Sequence, residues 1–586
     1  MKSLLTDDRT WRESPTDENL VEEIRKKLNC SEVFARLVGN RYGDNFLETT
    51  AVLERGESPE REIFHSPEDL PDLSRAVSRI VEALEESQDI FIHGDFDVDG
   101  LSSSALVYRG LKKIDGMPGP GRLKVEVGDR SFGHGISKKV SSRLIDEEYD
   151  LLITTDCGVK GIGEITHLNN FGIDVIVTDH HEPPETLPPA EAVVDPKRDD
   201  STYPNPYLSG AGVAYKLMAS LLEEVGGDTD EEDYLIQLAA LGTVADLVPL
   251  IKKGEDENRR LVKRGLEKMR RSPITGISAL LGELGQRSKD IKPETISYRI
   301  APKLNSANRV GDPQVSFLLL STGSRARADH LAKTLIDYDR DRSSLQNRLT
   351  RKAINRITEG EFDPEEEGLV FVVGDGWNPG ILGLISSRLV NRFNIPAVTV
   401  SRERTKCRGS VRGVRGLSIH EGLERCSGYL TKFGGHKMAG GFTAVSSELE
   451  GLKTCLKDWA RKERKSVEGG EEIYVEGRLE PFEANLDLYR EIEKLAPFGK
   501  GNPRPTYWME GLRIVSARRV GDSKNHLKVK LADGDDVLDC IGFGMGEDLP
   551  LLKSQDRLNP VFTLELNDWG GRENVQLKLE DFVSQD

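Results

Sequence analysis

Four short apolar runs alternate with amphipathic stretches in the first half of the chain, and this alternation constrains the fold most strongly. The runs are DIFIHGD, DLLITTD, DVIVTDH and EAVVDP. Their length and their content of β-branched residues predict strands. Because strands that alternate with helices form parallel sheets flanked by helices, this part of the chain is predicted to be an α/β domain.

A second α/β unit follows later in the chain. It begins at GLVFVVGD, continues through the helix ILGLISSRLVNRF and returns as the strand PAVTVSR, which is the order of a βαβ unit. Between the two units, a charged stretch has apolar residues at helical spacing and predicts a long connecting helix. These apolar residues are Leu331, Leu335, Leu345, Leu349 and Ile354.

The end of the chain contains five strand-like runs separated by glycine and aspartate turns, which predict a small all-β barrel or sandwich. We therefore predict an α/β multidomain protein with five parts. These are an acidic, helical N-terminal region (1–75), a parallel-sheet α/β domain (76–253), a helical region and connector (254–357), a second α/β domain (358–460) and an all-β domain (470–586).

The charge balance argues against long-range attraction to nucleic acid. The 81 lysines and arginines against 99 aspartates and glutamates give a net charge of −18, so a polyanion must bind a local basic patch. The segment RERTKCRGSVRGVR, residues 402–415, contains only one acid, Glu403, and is such a patch. On charge alone, a solvated loop remains the simpler interpretation of this segment.

Composition also indicates the cellular compartment of the protein. No run approaches the roughly 18 consecutive apolar residues of a membrane span, and acids stand where a signal peptide would have its apolar core. We expect a cytoplasmic protein that does not enter a membrane. The six cysteines are scattered without a CxxC pair, so we expect reduced, structural thiols rather than a disulfide framework or a zinc site.

The densest chemical signal is HGDFDVDG, which follows the first predicted strand. Asp95, Asp97 and Asp99 stand at alternate positions, and His93 precedes them. Carboxylates at this density repel one another unless cations neutralise them, and with a histidine they suit divalent metals. A solvated acidic turn is the alternative interpretation of this motif taken alone.

Two further strand ends and one apolar run carry similar groups. Asp156 ends the second strand, Asp179-His180-His181 ends the third, and Asp246 is a lone acid in LGTVADLVPL. Separate structural roles, such as a helix cap, a turn residue and core histidines, are the alternative. However, an isolated buried carboxylate is costly unless it is paired or binds a metal. The predicted ligands are Asp97, Asp99, Asp156, His180 and Asp246, with His93 and, as a further candidate, Asp95.

This ligand set exceeds what a single ion needs, so we predict two divalent metals, with one carboxylate bridging them. Imidazole ligands favour Mn²⁺ over Mg²⁺, although either ion suits the carboxylates. A metal pair activates water and stabilises both oxygens of an in-line displacement at phosphorus. The predicted chemistry is hydrolysis of a phosphoester or phosphoanhydride.

The ordered motifs resemble those of the DHH phosphoesterase superfamily and, more closely, the RecJ family of single-stranded-DNA-specific exonucleases. They are HGDFDVDG, TTDCG, TDHH, LGTVADLVPL, APKLNSANRVGD, WNPGILGLISSRL and FGGHKMAGG. The resemblance covers the chain from about residue 80. It implies a DHH catalytic domain, a DHHA1 substrate-binding domain and a C-terminal OB-fold.

The resemblance also implies roles for the site residues. His93, Asp97 and Asp156 would hold one metal, while Asp99, Asp156, His180 and Asp246 would hold the other. Asp156 would thus bridge the ions. His181 would lie beside the scissile phosphate and stabilise developing charge or the leaving group.

Substrate contacts follow in the same way. Ser410 and Arg412 match the family's 5′-phosphate pocket, with Arg130 and Arg309 as further arginines. Gly434, Gly435 and His436 in FGGHKMAGG would bind the strand near the metals, with glycine N–H groups open to phosphate oxygens. A tight loop is the alternative interpretation of that glycine-rich segment.

One motif departs from the family pattern. The segment RSFGHG has His134 where relatives carry a tyrosine that stacks on a base. His134 or Phe132 could stack instead, since base stacking tolerates different aromatic side chains.

The resemblance implies a 5′→3′ exonuclease that hydrolyses single-stranded DNA to mononucleotides in recombination and repair. We expect a monomer, with single-stranded-DNA-binding protein as a candidate partner. Two alternatives are an archaeal-type RecJ-like nuclease that also acts on RNA, and a non-catalytic RecJ-like scaffold of the replicative helicase. A pyrophosphatase or cyclic-dinucleotide phosphodiesterase is disfavoured by the additional C-terminal domain.

Overall fold

The computed structural model describes residues 1–5, 9–46, 64–114, 118–130, 133, 135–226, 229–360, 363–464, 471–534, 536–569 and 572–583. Within these ranges, no helix combines the length and the apolar character needed to cross a membrane.

The N-terminal region packs against the end of the chain. It consists of strand β1 (Arg9–Glu13) and helices α1 (Glu18–Leu28) and α2 (Glu32–Tyr42). Asp17 and Ser31 cap the two helices, because their side-chain oxygens accept hydrogen bonds from N–H groups of the first turn. The apolar faces of both helices belong to the same core as the C-terminal domain.

The first α/β domain contains five parallel strands in the order β3-β2-β4-β5-β6. They are β2 (Ile90–Gly94), β3 (Leu123–Val127), β4 (Leu151–Thr155), β5 (Asp174–Thr178) and β6 (Ala192–Val194). The four predicted strands correspond to β2, β4, β5 and β6. The sequence interpretation missed β3, because this half-exposed edge strand, LKVEV, mixes charged with apolar residues.

Helices surround this sheet and continue into the connector. They are α3 (Leu73–Glu85), α4 (Val98–Lys112), α5 (Lys138–Asp146), α6 (Ile162–Asn169), α7 (Gly210–Glu224), α8 (Thr229–Ala245), α9 (Glu257–Arg271), α10 (Thr275–Glu283), α11 (Ala301–Val310), α12 (Gln314–Ser321) and α13 (Arg325–Thr358). A helical turn at Pro293–Thr295 and a π-helical turn at Ile296–Ile300 lead into α11.

Helix α13 links the two α/β domains, as its apolar spacing predicted. It has 34 residues and is therefore about 50 Å long. Leu331 and Leu335 in its first half pack into the core of the first domain. Leu349 in its second half packs into the core of the second domain.

The second α/β domain has a five-stranded sheet in the order β10-β11-β9-β8-β7. Its elements are β7 (Val370–Asp375), α14 (Pro379–Phe393), β8 (Ala397–Arg402), β9 (Lys406–Arg412), α15 (Ile419–Arg425), β10 (Lys432–His436), β11 (Ala439–Val445) and α16 (Leu449–Arg464). Strands β7 and β8 are parallel, and the remaining pairs are antiparallel. The basic segment 402–415 is therefore largely a strand, β9, rather than a solvated loop.

The cysteine prediction was wrong for one pair. Cys426 and Cys455 form a disulfide between the end of α15 and helix α16, with Cα atoms 6.0 Å apart. Sequence spacing could not reveal this pair, because a disulfide depends on the spatial proximity of two Cα atoms. Among the described residues, Cys30, Cys157, Cys407 and Cys540 are free thiols.

The C-terminal domain is a strand-rich barrel, as predicted. Its elements are β12 (Glu471–Val475), β13 (Gly477–Arg478), α17 (Leu486–Glu493), β14 (Thr506–Trp508), β15 (Leu512–Val520), β16 (His526–Asp533), β17 (Asp536–Gly542), α18 (Leu549–Lys553), β18 (Arg557–Trp569) and β19 (Arg572–Val583). The sheet order is β13-β14-β18-β15-β16-β17-β19, and an additional β18–β19 pairing closes five strands into a ring. Closure of this kind is typical of an OB-fold. Strand β12 pairs in parallel with β1.

Candidate active site

The predicted ligands meet at one edge of the first sheet. Because β2, β4 and β5 are parallel neighbours, the segments that follow them converge at the same edge. Asp246, which follows α8, joins them from the helical side. The converging side chains are Asp95, Asp97, Asp99, Asp156, Asp179, His180, His181 and Asp246.

Two helix N-termini hold the acids of the HGDFDVDG motif. Asp97 caps α4, and its Oδ1 accepts hydrogen bonds from the N–H groups of Asp99 at 2.9 Å and Gly100 at 3.2 Å. Asp99 in turn accepts from the N–H groups of Gly210 at 2.7 Å and Ala211 at 2.9 Å, at the start of α7. Helix N-termini favour negative charge, so both carboxylates are held in fixed orientations.

Two glycines, one in α7 and one in α8, allow these two helices to approach the acids closely. A Cβ atom on Gly210 would lie 2.5 Å from Asp156 Oδ1, and one on Gly242 would lie 2.3 Å from Asp99 Oδ1. Either side chain would displace a carboxylate. Asp156 itself has a φ of 60°, a strained left-handed conformation of the kind found at functional sites.

Three groups of side chains have ligand atoms close enough to share a metal ion. In each group these atoms lie within 4.8 Å of one another. The groups are Asp95, Asp97 and Asp156; Asp99, His180 and Asp246; and Asp156, His180 and His181. Asp156 and His180 each belong to two groups, so they occupy the middle of the centre.

Asp156 and His180 have the properties of metal ligands. Burial, and next the charge of Asp99, raise the pKa of Asp156 well above its usual value. Burial, and next His181, lower the pKa of His180 to about 3, so its imidazole is neutral at neutral pH. Asp156 Oδ1 is buried and receives no hydrogen bond from the described residues. A divalent cation would satisfy both groups.

The outer acids also repel one another. Burial and the charges of Asp246 and Asp97 raise the pKa of Asp99. Burial, followed by the charge of Asp97, raises the pKa of Asp246 to about 6. Cations would remove this repulsion, so the donor set fits a pair of divalent ions.

The structure distinguishes Asp95 from His93. Asp95 belongs to one of the three groups, whereas His93 belongs to none of those found among the described residues. The Nε2 atom of His93 lies 3.4 Å from the carbonyl oxygen of Gly135, and its buried Nδ1 has no hydrogen-bond partner within the described ranges. Asp95 therefore has neighbouring ligand atoms with which it could share an ion, and the role of His93 as a ligand stays a prediction.

Asp179 orients His181 instead of joining the three groups. Its Oδ1 lies 2.7 Å from His181 Nδ1, and its Oδ2 accepts the N–H of Val159 at 3.0 Å. Burial lowers the pKa of His181, but the hydrogen bond and charge of Asp179 outweigh burial and raise it to about 9. The predicted site left Asp179 out, although its position before two histidines was a usable signal.

The predicted arginines form a cluster beside the centre. Arg130 lies over the Phe96 ring at 4.4 Å, and Arg309 Nη1 donates to the Gly380 carbonyl at 2.8 Å. Arg412 Nη1 donates to Ser410 Oγ at 3.2 Å.

Their electrostatics indicate an anion site. Burial, followed by the charges of Arg130, Arg342 and Arg412, lowers the pKa of Arg309 to about 9. Asp97 acts on Arg309 in the opposite direction, which places the cluster on the Asp97 side of the centre. Arg342, on α13, adds its charge to this cluster while it pairs with Asp339.

Gly434, Gly435 and His436 lie on an exposed β-hairpin formed by β10 and β11. A Cβ atom on Gly133 would lie 3.6 Å from Lys432 Nζ, so this hairpin faces the loop that follows Arg130. Phe132 and His134, the predicted replacements for a stacking residue, lie outside the described residues.

Comparisons with known proteins agree with this architecture. The profile of the DHH family N-terminal domain matches residues 89–243, that of the DHHA1 domain matches 365–462, and that of the RecJ OB domain matches 475–581. The fold and the site together define a phosphoesterase of the DHH class with a DHHA1 domain.

Full-length relatives narrow this class. The chain is 32% identical to the single-stranded-DNA-specific exonuclease RecJ of Haemophilus influenzae, over 88% of this chain and 91% of the relative. It is 30% identical to RecJ of Bacillus subtilis, over 97% and 70%. The crystal structure of RecJ from Thermus thermophilus in complex with Mn²⁺ has a TM-score of 0.81 and 27% identity, over 99% of this chain and 80% of that chain. The chain belongs to the RecJ family.

Proposed function

We propose that this protein is a 5′→3′ exonuclease that hydrolyses single-stranded DNA to mononucleotides with two divalent ions, Mn²⁺ or Mg²⁺. One observation carries the proposal: an acidic and imidazole centre lies next to a half-buried arginine cluster, because Asp97 acts on both Arg130 and Arg309. The candidate metal ligands and the proposed phosphate site would thus be neighbours. RecJ relatives are named single-stranded-DNA-specific exonucleases, which supports the reaction class and the substrate.

The ions would be held by the members of the three groups other than His181. Asp97 and Asp156 would hold one ion together with Asp95, or with His93 as the resemblance implies. Asp99, Asp156, His180 and Asp246 would hold the other. When bound, such ions lower the pKa of water and neutralise charge on a phosphodiester.

The chain's own groups supply orientation and proton control. His181, protonated through Asp179, can donate a hydrogen bond or a proton to the leaving oxygen. Ser410, Arg412, Arg309 and Arg130 would bind a terminal 5′-phosphate, which keeps the end of the strand beside the centre. This anchor explains a 5′ polarity and release of single nucleotides.

The alternatives receive less support. A non-catalytic scaffold does not require a complete ligand set, whereas this chain brings the acids and His180 into common groups. Activity on RNA concerns the same centre and is decided by substrate comparison. We further propose a cytoplasmic monomer that acts in DNA recombination and repair, with single-stranded-DNA-binding protein as a partner.

The test uses two single-stranded oligonucleotides, labelled at the 5′ or the 3′ end, with Mn²⁺, with Mg²⁺ and with chelator. Early release of a labelled mononucleotide from the 5′ end, abolished by chelator, is the expected result. Binding without cleavage would favour the scaffold. Release from the 3′ end, or faster cleavage of RNA, would favour the broader nuclease.

A further inference from the structure

A cavity of about 270 Å³ lies next to the Asp246 side of the centre. Three parts of the chain line it: the end of α8 with Leu247, the π-helical turn with Tyr298, and the segment 498–504 of the C-terminal domain. Leu247 directly follows Asp246 in the chain. The cavity is therefore shared between the catalytic domain and the nucleic-acid-binding domain.

Hydrogen bonds and close packing hold the C-terminal segment against the catalytic domain. The carbonyl oxygen of Lys500 accepts the N–H of Leu250 at 2.8 Å, and Arg259 Nη1 donates to the Ala496 carbonyl at 3.2 Å. Gly501 has a φ of 74°, and a Cβ there would lie 2.3 Å from the Ile251 carbonyl oxygen. Lys500 is thus held against the segment that follows Asp246, although it belongs to another domain.

The N-terminal helices strengthen the same contact between the C-terminal domain and the catalytic domain. Arg41 Nη2 donates to the Pro503 carbonyl at 3.0 Å and pairs with Glu476 at 2.7 Å. Tyr42 donates to Asp256 Oδ2 at 3.2 Å, at the start of α9. The acidic N-terminal region therefore joins the C-terminal domain to the catalytic domain.

The side chain of Lys500 is exposed to solvent. No carboxylate of the described residues pairs with it, whereas the neighbouring Arg504 is paired with Glu493 at 2.7 Å and lies over the Phe498 ring at 4.5 Å. Its charge nevertheless reaches the centre, because it opposes the rise in the pKa of Asp246. A free cation at this position is available to a phosphate.

The same cavity offers apolar surface at its mouth. Leu247 is 55% exposed and Tyr298 is 77% exposed, so both side chains are accessible to a ligand. A flat aromatic ring and a cation together match a nucleotide, since the base stacks on the ring and the phosphate binds the cation.

We propose that Lys500 is a substrate-binding residue that the C-terminal domain contributes to the catalytic centre. It contacts a phosphate on the 3′ side of the cut, while a nucleotide of the retained strand occupies the cavity against Tyr298. This inference rests on the proposed function, because it requires that the arginine cluster binds the 5′ end of the strand. The strand then runs from Asp97 past Asp246 towards the OB-fold.

The experiment measures binding of a labelled single-stranded oligonucleotide at several salt concentrations, in the full chain with Asp156→Asn to prevent cleavage. Lys500→Ala should reduce the magnitude of the slope of log affinity against log salt by about 0.7, the value for one phosphate contact on a single strand. Lys500→Arg should restore the slope. Tyr298→Ala should weaken binding about tenfold without changing the slope.

The matched control is Lys113→Ala, at the far end of α4 from Asp99, which should leave the slope unchanged. A slope in Lys500→Ala equal to that of Lys113→Ala would overturn the proposal. So would an equal loss of affinity in Lys500→Ala and Lys500→Arg, because that pattern indicates packing rather than charge. Failure of the unsubstituted chain to cleave would refute the proposed function, while the salt slopes would still test Lys500.

Discussion

The Nε2 atom of His180 lies 3.2 Å from Oδ1 of Asp156, and both residues lie in the middle of the candidate metal centre. The low pKa of His180 leaves its imidazole neutral, and the buried Asp156 belongs to a cluster of acids that repel one another. Both residues follow neighbouring strands of the same parallel sheet, β4 and β5. A divalent cation placed between them would be bound by both side chains.

Replacing Asp156 with asparagine should abolish nuclease activity while single-strand binding survives. The amide keeps the shape but removes the charge that two ions would share, so we expect a loss greater than about 100-fold, the upper range for outer-shell partners. The same change should raise the melting temperature of the metal-free protein, because it removes a repelling buried carboxylate. Near-normal turnover would contradict the central position of Asp156.

The stability of the metal-free protein should fall as pH rises through the range in which its buried acids ionise. The pKa of Asp246 is raised from 3.8 to about 6, so its protonated form stabilises the fold below pH 4 and this contribution is lost by about pH 6. Asp246→Asn should weaken this dependence in thermal melts. An unchanged dependence would show that other groups produce it.

Addition of Mn²⁺ should reverse that trend, because the ions bind the ionised carboxylates. At 100 times its dissociation constant, one bound ion stabilises the fold by about 2.7 kcal/mol. The measurement is a thermal melt at pH 7 with and without the ion. The Asp156→Asn variant serves as the control and should show a much smaller shift. An equal shift in both proteins would indicate binding elsewhere.

Replacing Asp179 with asparagine should move the alkaline limit of activity. In the native protein, His181 remains protonated up to a pKa of about 9 because Asp179 holds its proton. Without that charge, its pKa should fall towards 6.5, and kcat should decline at lower pH with little change in KM. Asp174→Asn, at the start of the same strand, is the control. An unmoved alkaline limit would remove His181 from the proton-transfer step.

Replacing Arg412 with alanine should weaken use of 5′-phosphorylated strands more than of 5′-hydroxyl strands. A hydrogen bond to a charged group contributes about 1.5–3 kcal/mol, which corresponds to a rise in KM of roughly 10- to 150-fold. Arg404→Ala, an exposed position in the same basic segment, is the matched control. If both kinds of end lose equally, the 5′-phosphate site lies elsewhere.

Local pattern was sufficient for most of the fold. The β-branched runs and helical spacing predicted four strands of the first sheet, the βαβ unit of the second domain, helix α13 and the terminal barrel. Local pattern was insufficient where it was mixed or where a contact joins distant residues. Strand β3 mixes charged with apolar residues, and the partner of Cys426 is separated from it by 29 residues.

The convergence of the candidate ligands could also be predicted, because parallel strands bring the residues that follow them to one edge whatever their separation in the chain. The same rule cannot say which side chain turns inward, so the choice between His93 and Asp95 as a ligand stays a prediction. Asp179 was left out of the predicted site, because the sequence does not show that its side chain contacts His181.

The sequence by itself determined the class of fold and the order of domains, and it predicted the candidate ligands, because these depend on periodicity and on strand ends. Only the tertiary structure decided the distance between Asp156 and His180, the clustering of the arginines and the delivery of Lys500 to the Asp246 side of the centre. These relationships join segments from different domains, and their geometry is set by packing between surfaces that no local pattern describes.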